Sequence, residues 1–316
     1  MYHGIINVYK EAGFTSHDVV AKLRGICKQK KIGHTGTLDP DAVGVLPVCL
    51  GSGTKLCDML TDQTKEYIAR FRLGITTDTQ DISGKVLEEK SVLVTEEQVR
   101  EMLPHFTGEL MQVPPMYSAL KVNGKKLYEL AREGKEVERK PRPVTIYELE
   151  LLKADHPEYE IRVVCSKGTY IRTLCHDIGQ ELSCGAVMVS LIRSRVGIFN
   201  LQDARTLSEL QTLSDEGKLQ DVVIPVEKMF SDLPSIRVLE SAQKALLNGN
   251  QLKDSEIVKC GKADRNTTDN AKKELEPMAE DNSEYRVYDA ENRFVAVYRY
   301  DRERKIFTPV KMFLEG

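Results

Sequence analysis

Residues 33–48 read GHTGTLDPDAVGVLPV, a stretch dense in glycine and proline with several lysines just before it. This density predicts a shaped loop rather than a helix or a strand. Pro40 disfavours the helical conformation for Asp39, so the Asp39 carboxylate can be presented on a bend. We therefore treat Asp39 as a candidate nucleophile. The alternative is a plain turn, because an aspartate before a proline often bonds a nearby backbone amide.

Composition and charge describe a globular protein without a global signal for nucleic acid. The chain has 316 residues, 41% of them hydrophobic, which suits one large domain and one small one. Its formal net charge of −3 means that any nucleic-acid surface must be a local patch. No apolar run approaches the roughly 18 residues of a membrane span, and the N-terminus lacks a signal-peptide pattern, so we expect a cytosolic protein. Seven cysteines without C-x-x-C spacing predict reduced thiols and neither a zinc site nor a disulfide framework.

The predicted elements mix strands and helices without a regular repeat. A strand at 4–10 precedes a helix whose apolar residues recur from Val19 to Cys27. Further predicted elements are an alternating strand at 67–73, a capped helix at 95–106, a hairpin of 144–153 with 159–167, and a helix at 171–182. This order favours an α+β fold with a largely antiparallel sheet.

A domain boundary is predicted near Leu233-Pro234, which separates residues 1–232 from residues 233–316. The polar stretch 259–282 has too few apolar residues to pack and is predicted to be mobile. The second part is also predicted to hold a helix at 241–247 and strands at 285–288, 293–300 and 306–314. On sequence alone, a generic β appendage fits this part nearly as well as a specific domain.

Four blocks in the first two thirds of the chain resemble the pseudouridine synthases of the bacterial tRNA type, known as TruB. The opening stretch matches their catalytic loop as G-H-T-G-x-L-D-P-x-A-x-G-x-L-P. The other blocks are KEY at 65–67 with LGITTDTQD at 73–81, VPPMYSALK at 113–121, and CSKGTYIRTL at 165–174. The family usually carries Asp-Lys-Pro near the end of the first strand, whereas here Tyr9 and Glu11 flank Lys10. That departure touches no residue assigned to chemistry.

The resemblance implies both a fold and a reaction. The fold is a pseudouridine synthase catalytic domain, with a mixed, largely antiparallel central sheet flanked by helices, followed by a small PUA-like β-barrel domain that binds RNA. The reaction breaks the C1′–N1 bond of a uridine, rotates the uracil and rejoins it through C5. It involves no redox change, so no cofactor and no metal are implied.

The resemblance assigns the central roles to Asp39, Arg172 and Tyr67. Asp39 matches the catalytic aspartate, and Arg172 matches the arginine that pairs with it and is expected to lower the pKa of Asp39. Tyr67 matches the tyrosine that stacks on the target base. Extruding that base costs a few kcal/mol, of which stacking returns about 1–3 kcal/mol. Taken alone, Tyr67 also fits ordinary core packing, and Arg172 fits a solvated charge in the first turn of a helix.

Four more residues match family positions around the same pocket. Tyr170 and Leu191 match residues that line it, although both also fit core packing. His34 matches the histidine that inserts where flipped nucleotides leave the RNA stack, and a hydrogen-bonded loop anchor is the alternative. Asp81 closes the TDTQD run and is expected to brace the pocket loop.

A local positive patch is the candidate surface for RNA. Between Lys121 and Arg142 there are eight basic residues against four glutamates. The family match makes Lys121 the preferred RNA contact, and phosphate contacts there would make binding strongly salt-dependent. For 135–138 we favour an exposed helix with interspersed charges. Specific RNA recognition targets loops and unstacked bases, which fits a uridine presented in a hairpin loop.

These matches predict a synthase acting on the T-loop uridine at tRNA position 55, with the tRNA T-arm stem-loop as partner and a monomer as the default. One alternative is a synthase for another RNA, such as a guide-dependent relative. Such relatives usually carry extensions for partner proteins, whereas this chain begins abruptly at its first strand. The other alternative is a non-catalytic RNA-binding or RNA-folding protein. The full set of Asp39, Tyr67 and Arg172 argues against it, because binding alone does not require all three.

Overall fold

Two β-sheets of different size carry the fold. The computed structural model describes residues 1–122, 124–260 and 282–314. The strands are β1 (Gly4–Lys10), β2 (Ile32–His34), β3 (Val43–Leu50), β4 (Lys65–Leu73), β5 (Ile75–Thr77), β6 (Val86–Glu89), β7 (Gly108–Gln112), β8 (Lys121–Val122), β9 (Lys125–Lys126), β10 (Arg142–Asp155), β11 (Glu158–Cys165), β12 (Ala186–Val196), β13 (Phe199–Asn200), β14 (Ser235–Val238), β15 (Leu252–Lys253), β16 (Ile257–Cys260), β17 (Glu284–Tyr288), β18 (Phe294–Asp301) and β19 (Ile306–Met312). The helices are α1 (Ser16–Ile26), α2 (Cys57–Thr61), α3 (Glu96–Met102), α4 (Leu127–Arg132), α5 (Ile171–Glu181), α6 (Leu207–Asp215) and α7 (Gln243–Leu247).

The central sheet is mixed and largely antiparallel, as predicted. Within the described residues its order is β1-β3-β12-β4-β11-β10-β7, with β2 paired to β3 and β13 to β12. Strands β3 and β12 run parallel, and the other neighbours in the described sheet are antiparallel. Helices α1 and α6 pack on β1 and β3, whereas α3 and α5 pack on β4, β11 and β12. The predicted α+β fold is confirmed.

Local sequence explains why several predicted elements form. Every second residue of β4 is buried, because alternate side chains of a strand point to opposite faces of the sheet. Helices α1 and α3 each begin with a capping box, formed by Thr15 with Asp18 and by Thr95 with Gln98. The hairpin of β10 and β11 and the helix α5 also lie where the sequence predicts them.

The predicted loop at 33–48 is wrong at both of its ends. His34 lies in β2 and Val43 opens β3, so the irregular part is confined to residues 35–42. Strand β3 is buried along almost its whole length, which explains its apolar sequence despite its glycine and proline. The predicted helix at 135–138 is also wrong, because this segment has no regular structure. The sheet strands β7 and β12 were not predicted.

The second sheet begins with β14 (Ser235–Val238). In the described part of the chain its order is β15-β19-β18-β17-β14-β16, and it curves into a nearly closed barrel. The prediction of a PUA-like β-barrel domain is confirmed, and β17, β18, β19 and α7 lie where expected. Most of the predicted mobile stretch, 261–281, lies outside the described residues. The boundary near residue 233 stays a prediction.

Hydrophobic clusters hold the layers together. One cluster lies between the central sheet and helices α3 and α5, and a second lies beneath α1 and α6. A third fills the barrel. A fourth, here called the inter-sheet cluster, joins the two sheets and consists of Ile5, Val45, Cys49, Leu56, Leu60, Val196, Phe199, Val226, Val297 and Phe313. Among the described residues, none of the helices is long and apolar enough to cross a membrane.

Candidate active site

Residues 35–42, here called the Asp39 segment, are held in place by α1 and β1. The Ser16 hydroxyl accepts a hydrogen bond of 3.0 Å from the Leu38 amide. The Pro40 carbonyl accepts one of 3.0 Å from the Gly13 amide and one of 2.9 Å from Nζ of Lys10, which is completely buried. Both residues that flank Asp39 are therefore anchored, and this fixes the position of its carboxylate.

Arg172, in the first turn of α5, connects Asp39 to the rest of the site. Its Nε lies 3.0 Å from Oδ2 of Asp39, and its Nη2 lies 3.3 Å from Oδ1. The same guanidinium donates to the carbonyls of Thr79 at 3.0 Å and Tyr117 at 2.9 Å, and it contacts Oδ2 of Asp81 at 3.3 Å. The side chain is only 6% exposed. The predicted pairing of Asp39 with Arg172 is thus present, and it is rigid.

The surroundings of Asp39 shift its pKa in opposing directions. Burial raises the pKa, the charge of Arg172 lowers it, and the charge of Asp81 raises it again. The net effect is a pKa above the ordinary value of an aspartate, because lost hydration outweighs the attraction of Arg172. The predicted lowering by Arg172 is thus present, but the effect of burial on the pKa is larger. The two-point contact with a permanently charged guanidinium still favours the ionised carboxylate.

Tyr67 and Leu191 lie side by side on one face of the central sheet. Tyr67 on β4 is 8% exposed, and Leu191 on β12 is 7% exposed. Leu191 is in register with Ala69, two residues from Tyr67, and the same hydrophobic cluster includes Leu38 of the Asp39 segment. The pKa of Tyr67 is raised, mainly by burial and in part by the charge of Asp39. The structure therefore places Tyr67 within the electrostatic influence of Asp39, with Leu191 beside Tyr67 in the sheet.

Arg193 and Lys10 belong to the site but were not predicted. Arg193 on β12 is the register partner of Tyr67, and its charge partly offsets the effect of burial on the pKa of the Tyr67 hydroxyl. It also donates from Nε to the Val45 carbonyl at 2.7 Å. Burial lowers the pKa of Lys10 to about 8. The sequence feature that could have identified Lys10 is the family's Asp-Lys-Pro pattern. No comparable sequence feature indicated that Arg193 would be buried.

Tyr170 immediately precedes α5 and is held by β7. Its amide donates to Oε1 of Gln112 at 2.8 Å, and its carbonyl accepts from Nε2 of the same side chain at 3.0 Å. Burial raises the pKa of its hydroxyl. Gln112 thereby fixes the start of α5, and with it Arg172 two residues further on.

His34 lies at the end of β2, and Asp81 lies in the turn that follows β5. His34 accepts a hydrogen bond at Nδ1 from the Gly36 amide at 3.3 Å, and its ring contacts that of His17 edge-on at 5.1 Å. Burial lowers the pKa of His34, so its imidazole is neutral at pH 7. Oδ1 of Asp81 accepts hydrogen bonds from the hydroxyls of Thr79 at 2.7 Å and Ser83 at 2.6 Å. Asp81 therefore anchors both its own turn and Arg172.

Lys121 lies apart from these residues. It is exposed on the hairpin of β8 and β9, and the described contacts do not bring it against the Asp39 segment. The hairpin begins four residues after Tyr117, whose carbonyl binds Arg172. Lys121 is thus exposed on a hairpin that is close in the chain to a residue contacting Arg172.

The assembled groups limit the chemistry that the site can perform. It offers one reactive carboxylate, a tyrosine ring, apolar walls and several buried cations. In residues 1–122, 124–260 and 282–314, no group of three or more His, Cys, Asp or Glu side chains could hold a metal ion. A carboxylate beside an aromatic ring can act on a nucleotide while the ring holds the base.

Solved structures resemble the chain over nearly its full length. An H/ACA RNP bound to a substrate RNA that contains 2′-deoxyuridine has a chain with a TM-score of 0.69 and 26% sequence identity, covering 99% of this chain and 85% of that one. An archaeal box H/ACA sRNP Nop10-Cbf5 complex has a chain with a TM-score of 0.68 and 27% identity, covering 99% and 86%.

Sequence comparison gives a closer relationship. The tRNA pseudouridine synthase B of Lachnoclostridium phytofermentans is 51% identical, covering 99% of this chain and 100% of its own. The tRNA pseudouridine synthase B of Clostridium novyi is 45% identical, covering 93% and 94%. The model of the TruB family pseudouridylate synthase N-terminal domain matches residues 24–171, and that of the tRNA pseudouridylate synthase B C-terminal domain matches residues 172–231. The chain therefore belongs to the TruB family of pseudouridylate synthases.

Proposed function

We propose that the chain is a tRNA pseudouridine synthase that isomerises the T-loop uridine at tRNA position 55, with Asp39 as its nucleophile. The observation that carries this proposal is the ion pair of Asp39 with Arg172 beside the ring of Tyr67. The family match and the names of relatives 41% to 51% identical over nearly the whole chain support it.

The reaction rearranges one nucleotide without adding or removing atoms. The C1′–N1 bond breaks, and its electron pair goes to N1 of the uracil. The base turns within the pocket and C5 bonds to C1′, after which C5 gives up its proton and N1 gains one. Asp39 meets the reacting nucleotide as an ionised carboxylate held by Arg172. Because composition and oxidation state do not change, the reaction needs no redox partner.

The pocket must hold a base that has left its helix. Tyr67 offers a stacking face, and Leu191 and Tyr170 line the same pocket. Extrusion costs a few kcal/mol, and stacking on one ring returns about 1–3 kcal/mol. Tyr67 and Leu191 are fixed in the sheet, so little side-chain freedom is lost when the base binds.

The partner is the T-arm stem-loop of tRNA. His34, neutral and partly buried, inserts where the flipped nucleotides leave the stack, and Lys121 contacts phosphates from its exposed hairpin. Binding should therefore weaken as salt rises. We further propose that residues 1–232 form the catalytic domain and residues 233–316 an RNA-binding domain, in a monomer that acts in the cytosol.

A guide-dependent synthase is the second candidate, because the similar solved structures are H/ACA particles. Those chains are 26% to 27% identical to this one, whereas the relatives named tRNA pseudouridine synthase B reach 51%. The difference favours direct recognition of tRNA. Activity on a bare stem-loop, without any guide RNA, separates the two candidates.

The test maps pseudouridine in unmodified bacterial tRNA before and after incubation with the purified protein. We expect one new pseudouridine in the T-loop, and none when the T-loop uridine is replaced by cytidine. Asp39→Asn should bind the RNA but lose at least about 10⁴-fold in rate. Asp41→Asn, which changes an exposed carboxylate two residues away, should remain active. Substantial product from Asp39→Asn would remove Asp39 from its role.

A further inference from the structure

Helix α5 carries Arg172 but does not begin with the local cap that fixes the start of α1 and α3. Those two helices begin with capping boxes, whereas Tyr170 at the N-cap of α5 makes no side-chain cap hydrogen bond in the described structure. The first turn of a helix has unpaired amides, and without a cap it frays readily. Arg172 is the second residue of α5, so the position of its guanidinium depends on what holds Tyr170.

Gln112 holds Tyr170 from outside the helix. It is the last residue of β7, and it is only 6% exposed. Its Oε1 accepts a hydrogen bond from the Tyr170 amide at 2.8 Å, and its Nε2 donates one to the Tyr170 carbonyl at 3.0 Å. The same carbonyl accepts the first hydrogen bond of α5, from the Leu174 amide at 3.0 Å. Gln112 therefore fixes both backbone polar groups of the residue at which α5 begins.

The chain that follows Gln112 also reaches the guanidinium of Arg172. The Tyr117 carbonyl accepts a hydrogen bond from Nη2 of Arg172 at 2.9 Å. That Nη2 and the neighbouring Nε are the two atoms that contact the Asp39 carboxylate, at 3.3 Å and 3.0 Å. Residues 112–117, here called the bracket, therefore hold Arg172 at two places. One is the start of its helix, and the other is the end of its side chain.

We propose that Gln112 is a positioning residue for the reaction, which holds the start of α5 so that both guanidinium contacts with Asp39 form together. The proposal rests on the proposed function. A reacting group must be held within about 0.5 Å of its productive position, and hydrogen bonds from the surrounding residues supply that restraint. Without Gln112, α5 can begin in more than one orientation. The guanidinium then no longer offers Nε and Nη2 to the carboxylate at the same time.

This position makes the pH dependence of the reaction sensitive to Gln112. The charge of Arg172 lowers the pKa of Asp39 against the larger effect of burial. If Arg172 is held less firmly, this lowering weakens and the pKa of Asp39 rises. Asp39 then becomes protonated at higher pH, so the acid limb of the pH–rate profile moves to higher pH. A loss of stability elsewhere in the fold would not move this limb.

The experiment compares Gln112→Met, which keeps the length of the side chain and loses both hydrogen bonds, with Gln29→Met as the matched control. Gln29 is 7% exposed and binds the backbone of Tyr2 in the same way, accepting from its amide at 2.8 Å and donating to its carbonyl at 3.2 Å. Single-turnover rates on saturating T-arm stem-loop RNA are measured from acidic to neutral pH, with RNA affinity and thermal melting in parallel. Gln112→Glu is the milder variant, because it keeps the acceptor for the Tyr170 amide.

At neutral pH, we expect Gln112→Met to lower the single-turnover rate by roughly 10–100-fold while RNA affinity stays unchanged. Its acid limb should move to higher pH by about one unit. Gln29→Met should lose a comparable amount of thermal stability but keep the rate and the acid limb of the wild type. Gln112→Glu should be slower than the wild type and faster than Gln112→Met.

A wild-type rate or an unmoved acid limb in Gln112→Met would overturn the proposal, and so would an equal shift of the limb in Gln29→Met. If Gln112→Met does not fold, Gln112→Glu provides the test, and a wild-type rate in that variant would overturn the proposal. These outcomes require an active wild type and leave the proposed function intact. A wild type that forms no pseudouridine in T-arm RNA would instead overturn the proposed function, and this proposal with it.

Discussion

Asp39 shares its arginine with a second carboxylate, and this sharing has a measurable consequence. Asp81 contacts the same guanidinium at 3.3 Å, and its negative charge raises the pKa of Asp39. In Asp81→Asn that repulsion is absent, and the amide oxygen can still accept from Thr79 and Ser83. The pKa of Asp39 should therefore fall. The acid limb of the pH–rate profile, where activity is lost as Asp39 becomes protonated, should move to lower pH.

The measurement is the single-turnover rate on T-arm RNA across the acidic range. Asp78→Asn serves as the control, because Asp78 lies in the same turn and accepts a hydrogen bond from the Lys85 amide at 2.8 Å without contacting Arg172. Its acid limb should coincide with that of the wild type. A limb that stays in place in Asp81→Asn, or moves to higher pH, would show that Asp39 is not the group titrating there.

At the scale of single residues, the sequence predicted which side chains pair, but it did not predict how deeply they are buried. The pairing of Asp39 with Arg172 followed from a motif, because both residue types are needed together. The direction of the pKa shift did not follow, because it depends on how much water the folded chain removes from the carboxylate. Arg193 was missed for the same reason. Side chains of a strand alternate between two faces, and the spacing of an arginine does not show whether its face is the core or the solvent.

The parallel contact between β3 and β12 is the element on which the site depends most closely. It consists of Val43 opposite Ile192 and Gly44 opposite Arg193. Gly44 has a φ of +109°, and a Cβ there would lie 2.3 Å from the Arg193 carbonyl oxygen. Any side chain at this position must therefore push β12 away from β3. That displacement would move Arg193, and with it Tyr67.

We expect Gly44→Ala to lower the free energy of unfolding by about 2–4 kcal/mol, from the unfavourable φ together with the backbone clash. Gly13→Ala is the matched control, because Gly13 has a φ of +83° and nothing within 4 Å of its built Cβ. It should lose only about 1 kcal/mol. Urea unfolding and single-turnover rates measure both variants, and the Gly44 variant should also be slower. Equal losses in the two variants would mean that the close approach of β12 is not required.

Elements with local signals were predicted, and elements defined by distant partners were not. Strand β4 shows clear alternation, and α1 and α3 carry capping boxes. Strand β12 is buried by pairing with β4 on one side and β3 on the other, and nothing within its own eleven residues indicates either partner. The same limit explains why β3 was predicted as loop. Its glycine and proline were visible in the sequence, whereas the neighbouring strands that accommodate them were not.

At the scale of the whole molecule, the inter-sheet cluster decides whether the two parts behave as one. Ile5 and Val45 of the central sheet share this cluster with Val297 and Phe313 of the barrel. The composition of the chain predicts two structural units. It does not predict that an apolar, salt-independent contact joins them. Phe313 also packs against the rings of Phe230 and Phe294, each at 5.6 Å between ring centroids.

Because this cluster belongs to both sheets, the wild type should unfold in a single calorimetric transition with equal calorimetric and van't Hoff enthalpies. Phe313→Ala should remove about 3–5 kcal/mol and split the transition in two, since the lost ring bridges the sheets. Phe307→Ala removes the same side chain from the interior of the barrel, where Phe307 contacts the rings of Tyr285 and Tyr300. It should lower the melting temperature of a transition that remains single, because the bridge is intact. If Phe313→Ala also melts in one step, the inter-sheet cluster is not what makes the two sheets unfold together. The sheets must then be joined by contacts outside the cluster, such as the hydrogen bond of 2.8 Å from Lys55 to the Met312 carbonyl.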